Sequence, residues 1–252
     1  DFKNYERKDI DLEKLQKFLS IQGFNSLLSR LPNKNDLSEK NTSYVVLQNT
    51  NINQESKLAA KIDYKIINNK EEFVAFLNKI NKKGLVSIDT ETTSLNTMED
   101  NLVGIALCIE PFEAVYIPLS HKLKNNNEEI IISGQLEKKY VLQKLKPILE
   151  DEGIIKIGQN IKFDMNVLNR AANINIFPIE DTMIMSFVLD AGKEIGHAMD
   201  NLSRTYLNLT PISYSEVTGK GKEKISFEYV SIEDALKYSA EDADITLRLY
   251  YF

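Results

Sequence analysis

Leu85-Val86-Ser87-Ile88-Asp89-Thr90-Glu91-Thr92-Thr93 is the stretch on which the reading of this chain turns. Its first half is apolar and β-branched, the pattern of a buried strand. Its second half carries two acids in alternate positions, Asp89 and Glu91. Strand side chains alternate between faces, so residues i and i+2 point the same way. Two carboxylates brought that close repel and shift each other's pKa unless a positive charge lies between them. A divalent metal ion is the economical candidate. Taken alone, an Asp-x-Glu more often ends a strand and leads into a Thr/Ser turn, so the rest of the chain has to decide.

Outward from this strand, the apolar segments 102–109 and 114–118 follow at hairpin-like spacing and suggest an antiparallel meander. Ile62–Ile67 reads as a strand before it and Ile154–Ile157 as a fifth strand after it, stopped by Gly158. Glu71–Lys82 is amphipathic, with Phe73, Phe76, Leu77 and Ile80 on one face and Gly84 placed to close it. Leu136–Leu149 reads as a helix, as do roughly 160–171, 180–190, 198–207 and 232–252. Residues 121–135 look polar and mobile, and Pro211–Lys224 reads as a Gly/Lys/Ser loop. The sum is a mixed sheet with helices against it, an α/β layered domain over residues 61–252. Residues 1–31 read as a short helical appendage: Leu12, Leu15 and Leu19 share one face, Phe24, Leu27, Leu28 and Leu31 another, and Gly23 separates them. Residues 32–60 are turn-rich and read as a linker, with room for a short strand at Tyr44–Leu47.

The bulk properties narrow the function classes. The chain has 252 residues, 42% hydrophobic and 27% charged, with a net charge of −6. That charge argues against holding nucleic acid by bulk electrostatics, but not against a site where metal ions bring phosphates and carboxylates together. A single cysteine, Cys108, rules out a disulfide framework. No stretch has the length of a membrane span and no signal peptide is visible, so a cytoplasmic location fits. The chain does not start with Met, as expected of a piece of a longer protein.

Two further places supply acids. Gly158-Gln159-Asn160-Ile161-Lys162-Phe163-Asp164 follows the fifth strand, and a strand–Gly–helix transition puts Asp164 at a helix start by the sheet edge. Asn160 is the expected N-cap. In the last helix, Tyr238 and Asp242 are i and i+4 and share a face that also carries apolar residues. Asp242 should therefore be at least partly buried and in need of a partner. Asp244 points nearly the other way; it and Glu241 read as solvated acids. Carboxylate-only ligands suit hard ions such as Mg²⁺ or Mn²⁺. Two such ions about 4 Å apart form a clamp for in-line phosphodiester hydrolysis.

The ordered set Asp89-x-Glu91, Asn160-x-x-x-Asp164 and Tyr238-x-x-x-Asp242 resembles the DEDD 3′–5′ exonucleases. The flanking motifs Glu180-Asp181-Thr182-Met183, Asp200-Asn201-Leu202, Gly219-Lys220-Gly221-Lys222 and Tyr238-Ser239-Ala240-Glu241-Asp242-Ala243-Asp244 are similar to the proofreading domain of bacterial DNA polymerase I, over roughly 62–252. Residues 1–31 resemble the end of the segment that joins that family's 5′ nuclease to its proofreading domain. The resemblance implies a ribonuclease H-like fold, a mixed five-stranded sheet flanked by helices. It implies that Asp89, Glu91, Asp164 and Asp242 hold two divalent ions, Mg²⁺ or Mn²⁺, with Asp89 shared between them, and that Tyr238 orients the attacking water. The histidine branch of the family has His where this chain has Lys237, so His121 and His197 do not take that role. Thr92, Leu95, Asn160 and Phe163 are the implied substrate contacts; Phe163 stands where the polymerase family often has Tyr. The implied partners are a single-stranded DNA 3′ end and a polymerase domain of the same parent chain, with no membrane, and the chain is expected to be a monomer that does not itself synthesise DNA. A ribonuclease D-like RNA exonuclease and a catalytically inactive DNA-binding scaffold stay open as alternatives.

Three other features compete for attention. Gly219-Lys220-Gly221-Lys222 could touch a DNA backbone but lacks the strand–loop–helix context of a nucleotide-binding P-loop. Tyr206, Tyr214, Phe227 and Tyr229 could stack on unpaired bases, with at least two of them expected in the core. Lys122 and Lys124 read as solvated loop lysines.

Overall fold

The computed structural model describes residues 11–28, 30–31, 61–96, 102–125, 128–192 and 196–252. The chain divides into two compact units, residues 1–59 with 190–196, and residues 60–189 with 197–252. In the first, α1 (Leu12–Ile21) is capped by Asp11, whose carboxylate accepts from the Lys14 N–H at 3.1 Å. Gly23 then turns the chain at φ 71° into α2 (Asn25–Leu28). Residues 1–10, the expected linker at 32–60 and its strand at Tyr44–Leu47 lie outside the described residues.

The second unit is built on a six-stranded sheet. Its strands are β1 (Asp63–Ile66), β2 (Leu85–Thr92), β3 (Leu102–Glu110), β4 (Glu113–Pro118), β7 (Ile155–Gly158) and β8 (Ile179–Asp181), in the order β1-β4-β3-β2-β7-β8. β2, β3 and β4 form the antiparallel meander, while β1 lies parallel to β4, and β7 and β8 run parallel to β2 and β7 in turn. All five expected strands are present. The sixth, β8, is three residues long, too short to show a period of two. β5 (Lys122–Asn125) and β6 (Glu128–Ile131) pair as a separate hairpin. They occupy the segment read as polar and mobile, because a hairpin whose described side chains largely face water carries no apolar alternation.

β3 is buried along almost its whole length, and the two sheet faces pack on different helices. On one face, Val86, Ile88, Ile105 and Leu107 meet Phe73 and Ile80 of α3 (Lys70–Lys83), Leu145 and Leu149 of α4 (Lys138–Leu149) and Leu168 of α5 (Lys162–Ala172). α3 starts at Asn69, whose side chain accepts from the Glu72 N–H at 2.9 Å, and stops at Gly84 in the left-handed region at φ 71°. On the other face, Ala106, Cys108 and Tyr116 meet Ala235, Ala240, Ala243 and Leu247 of the last helix. The connecting helices are α6 (Thr182–Leu189), α7 (Met199–Leu202), which runs into a π-helical turn, and the five-residue α8 (Tyr214–Thr218), within the segment read as a loop. The last helix, α9 (Ile232–Tyr251), is the longest. Its alanines let it lie close against the sheet.

α9 corrects one expectation. Asp244 is fully buried. Its carboxylate accepts from Tyr64 Oη at 2.9 Å, the Phe112 N–H at 2.6 Å and Arg248 Nη1 at 3.3 Å. Phe112 forms the β3–β4 turn at φ 69°, and the Arg248 guanidinium lies 4.5 Å from its ring centroid. Glu241 is half-buried rather than solvated and accepts from the Ile212 N–H at 2.7 Å. Both acids satisfy backbone donors, a role that leaves no mark in helical spacing. Replacing Asp244 with Ala strands a backbone N–H and a partly buried guanidinium. It is expected to cost roughly 3 kcal/mol, read as a lower urea midpoint with unchanged slope.

His121 is buried between Tyr116 and Phe227, with ring centroids 5.8 and 6.1 Å away. Its Nδ1 lies 3.0 Å from the Val230 carbonyl and its Nε2 2.7 Å from Tyr116 Oη. A carbonyl only accepts, so Nδ1 carries the proton and Nε2 accepts from the tyrosine. Burial pushes the imidazole down to about 4. The folded value lies below the ordinary one near 6.5, so this contribution is complete above pH 6.5 and is lost as pH falls toward 4, to a limit of roughly 3 kcal/mol. Urea unfolding at pH 7 and pH 5 is expected to show a smaller loss of stability for His121→Gln than for the unaltered chain.

Candidate active site

Asp89 and Glu91 leave β2 on the face that meets α9. Across the ladder their Cα partners are Ala106 and Gly104. Gly104 is required there: a Cβ would stand 2.0 Å from Tyr116 Oη. Small residues opposite the acids thus let Tyr116 fill the floor beneath them. α9 is capped by Ser231, which accepts from the Asp234 N–H at 3.1 Å, and then carries Tyr238, Ser239 and Asp242 over the strand end. Ser239 Oγ donates to Glu91 Oε1 at 2.6 Å. Tyr238 lies one helical turn before Asp242 and rests its ring against Phe227 and Tyr214, with centroids 6.0 and 6.1 Å away.

Asp164 arrives from the other side. It sits in the first turn of α5, 3% exposed, and its Oδ1 accepts from both the Thr90 N–H at 2.9 Å and Thr90 Oγ1 at 2.6 Å. Thr90 faces away from Asp89 and Glu91 on the strand. The structure therefore gathers Asp89, Glu91, Tyr238 and Asp242 on one face and brings Asp164 up to the strand end from the opposite one.

Asp89 is the common neighbour of the other three acids. Burial pushes its carboxyl up to about 6. Glu91, Asp164 and Asp242 are held well above the usual carboxylate range, first by burial and next by the Asp89 charge. Tyr238 is also raised, by burial and then by Asp242. Among the described residues none of these four acids forms an ion pair with Lys or Arg. Lys237, at the position the histidine branch would use, is exposed and pairs with Asp234 at 2.9 Å.

The four carboxylates form a donor set that fits a metal ion. It is all oxygen, anionic, largely buried and without a protein cation, the chemistry of a hard divalent ion. Among the described residues no three acidic, His or Cys side chains already form a ligand cage. Asp164 is engaged by Thr90 and Glu91 by Ser239, so ligation requires the remaining carboxylate oxygens to turn inward.

The expected substrate contacts are distributed as follows. Leu95 is 88% exposed on the turn after β2, and Thr92 is buried with its Oγ1 donating to the Ser94 carbonyl at 2.8 Å. Ser226 Oγ donates to the Thr93 carbonyl at 3.2 Å, tying that turn to the segment before Phe227. Phe163 packs partly against the core. Asn160 is exposed but is not the helix cap. It takes the left-handed conformation at φ 57°, and Ile161 precedes the helix. The role passes to Asp181, whose carboxylate accepts from the N–H groups of Asn160 and Ile161, both at 3.0 Å, and of Met183 at 2.9 Å. Asp181 is the organising residue that sequence reading missed. Its signal was an Asp immediately before the helix that begins at Thr182, an N-cap pattern.

Of the possible stacking residues, Phe227 is core, Tyr229 donates to Glu129 and Tyr206 packs on Phe252 at 4.9 Å. Tyr214 stays 38% exposed, with Lys224 Nζ 5.5 Å from its ring centroid. Lys122 is not simply solvated: it pairs with Glu129 at 2.9 Å and approaches Glu228 at 3.8 Å.

Comparison with known proteins agrees with this geometry. The fold is shared with solved nucleases: Escherichia coli RNase D superposes with a TM-score of 0.54 at 16% identity, over 75% of this chain and 44% of that one. Brucella melitensis NrnC with bound Mg²⁺ gives 0.51 at 22% identity, over 76% and 79%. A 3′–5′ exonuclease family model matches residues 64–252, and the chain belongs to that family. DNA polymerase I of Pseudomonas aeruginosa is 38% identical over 198 residues, 78% of this chain and 21% of the relative. That of Rhizobium leguminosarum is 43% identical over 180 residues, 66% and 17%. The chain thus spans about one fifth of the length of these relatives. No helix among the described residues is long and apolar enough to cross a membrane.

A metal ion held by these acids would displace protons. With Asp89 raised to about 6, the rise in melting temperature given by saturating Mg²⁺ is expected to be small at pH 5 and to grow between pH 6 and pH 8. A rise independent of pH would place the ion elsewhere.

Proposed function

We propose that this domain is a metal-dependent 3′–5′ exonuclease acting on single-stranded or frayed DNA, releasing 5′-mononucleotides, and that it proofreads for a polymerase domain of the same parent chain. The observation that carries this is the convergence of four acids on the end of β2 without a protein cation among the described residues. Two bound Mg²⁺ or Mn²⁺ ions would supply an activated water and charge neutralisation at the leaving 3′ oxygen. Asp89, Glu91, Asp164 and Asp242 would hold them. Tyr238, one helical turn before Asp242, would orient the attacking water. The exposed Leu95, with Thr92 in the turn behind it, would bear on the terminal nucleotide, and Asn160 and Phe163, before and at the start of α5, would contact it as well. A net charge of −6 suits a site that grips a few nucleotides through metals while another domain holds the duplex. The chain would act as a cytoplasmic monomer unit of its parent.

The RNase D fold likeness keeps an RNA substrate as the second reading, while the DNA polymerase relatives favour DNA. Matched DNA and RNA oligonucleotides separate the two, because discrimination turns on the 2′-hydroxyl. Incubation of a 5′-labelled DNA strand with Mg²⁺ is expected to shorten it one nucleotide at a time from the 3′ end. The double substitution Asp89→Ala, Glu91→Ala is expected to lower that rate at least about a hundredfold, the loss of several kcal/mol of transition-state stabilisation. Undiminished shortening by the double variant would refute the assignment, and faster shortening of RNA would move it to the second reading.

A further inference from the structure

We propose that Ser239 is a positioning residue for Glu91: its hydroxyl fixes one carboxylate oxygen so that the other is presented toward Asp89 and the metal site. This rests on the reading of Glu91 as a metal ligand. Three observations carry it. Ser239 is fully buried in the middle of α9, where a serine gains nothing from solvent and has weaker helix propensity than the alanines around it. A serine inside a helix commonly turns back to the carbonyl one turn earlier. Ser239 Oγ instead crosses 148 residues of sequence to Glu91 Oε1, at 2.6 Å. Among the described residues this hydroxyl is the side-chain donor to Glu91, so it sets the orientation of a carboxylate that would otherwise pivot.

Asp164 shows the same device on the opposite sheet face, where Thr90 occupies Oδ1 and leaves Oδ2. Hydroxyls that hold one oxygen of a ligating carboxylate prepay the ordering that the metal would otherwise impose. Removal of such outer contacts typically costs about 10- to 100-fold in metal affinity or activity.

The test is Mn²⁺ binding by calorimetry to the full chain, with Ser239→Ala, Glu91→Gln and the double variant. Ser239→Ala is expected to weaken Mn²⁺ binding about tenfold and to raise by the same factor the metal concentration that gives half-maximal DNA shortening. In the Glu91→Gln background the serine substitution is expected to add no further loss, since a residue acting through Glu91 has nothing left to position. Metal affinity unchanged in Ser239→Ala, or an equal loss in both backgrounds, overturns the proposal, including the case in which only the melting temperature falls. Absence of Mn²⁺ binding by the unaltered chain overturns the functional reading and this proposal with it, whereas normal binding and shortening by the unaltered chain with no effect of Ser239→Ala overturns this proposal alone.

Discussion

Charge that cannot be paired within the protein is the constraint around which this domain is arranged. Four acids meet at the end of β2, three of them less than a tenth exposed, and none has a cationic partner among the described residues. Isolated buried carboxylates are costly, and they either take up protons or find a cation. Their raised pKa values express the first outcome, and a divalent ion is the second. The placement of β2 follows from the same requirement. It lies inside the sheet, between β3 and β7, so its end is reachable from both faces, by α9 on one and by α5 on the other.

α9 connects that constraint to the rest of the fold. Its two aspartates two residues apart point in nearly opposite directions. Asp242 looks into the site. Asp244 locks the helix to Tyr64 of β1, to the strained turn at Phe112 and to Arg248 one turn on. The lock fixes the axial position and rotation of α9, and those set where Tyr238, Ser239 and Asp242 stand over the strand. A buried acid paired with a cation thus supports a set of acids that have no cationic partner among the described residues. On the other flank Asp181 plays the matching part, gathering the turn through Asn160 and Ile161 so that Asp164 falls in the first turn of α5.

Much of this was legible in the residues. Alternation put Asp89 and Glu91 on one face, and the i, i+4 spacing put Tyr238 with Asp242, because those pairings depend only on local geometry. The five longer strands and the main helices followed from periodicity. What escaped detection depends on tertiary partners. Asp244 read as a solvated acid because its donors come from positions 64 and 112. Asn160 read as a cap because Asp181, twenty-one residues away, does that work. β8 and the β5–β6 hairpin are short or mostly exposed, and so leave no hydrophobic rhythm. That Asp164 reaches the site from the opposite face could not be read from a helix start alone. The handing of Glu91 to Ser239 was equally hidden, since a serine in a helix announces nothing about its acceptor.

The central proposal is that the end of β2 is a two-metal centre with Asp89 at its middle. Anomalous diffraction from crystals of this chain soaked in Mn²⁺ tests it most directly. Two peaks about 4 Å apart, both within ligand distance of Asp89 and flanked by Glu91, Asp164 and Asp242, are expected. No peak at the strand end under conditions where the protein shortens DNA, or manganese bound only at other acids, would contradict it.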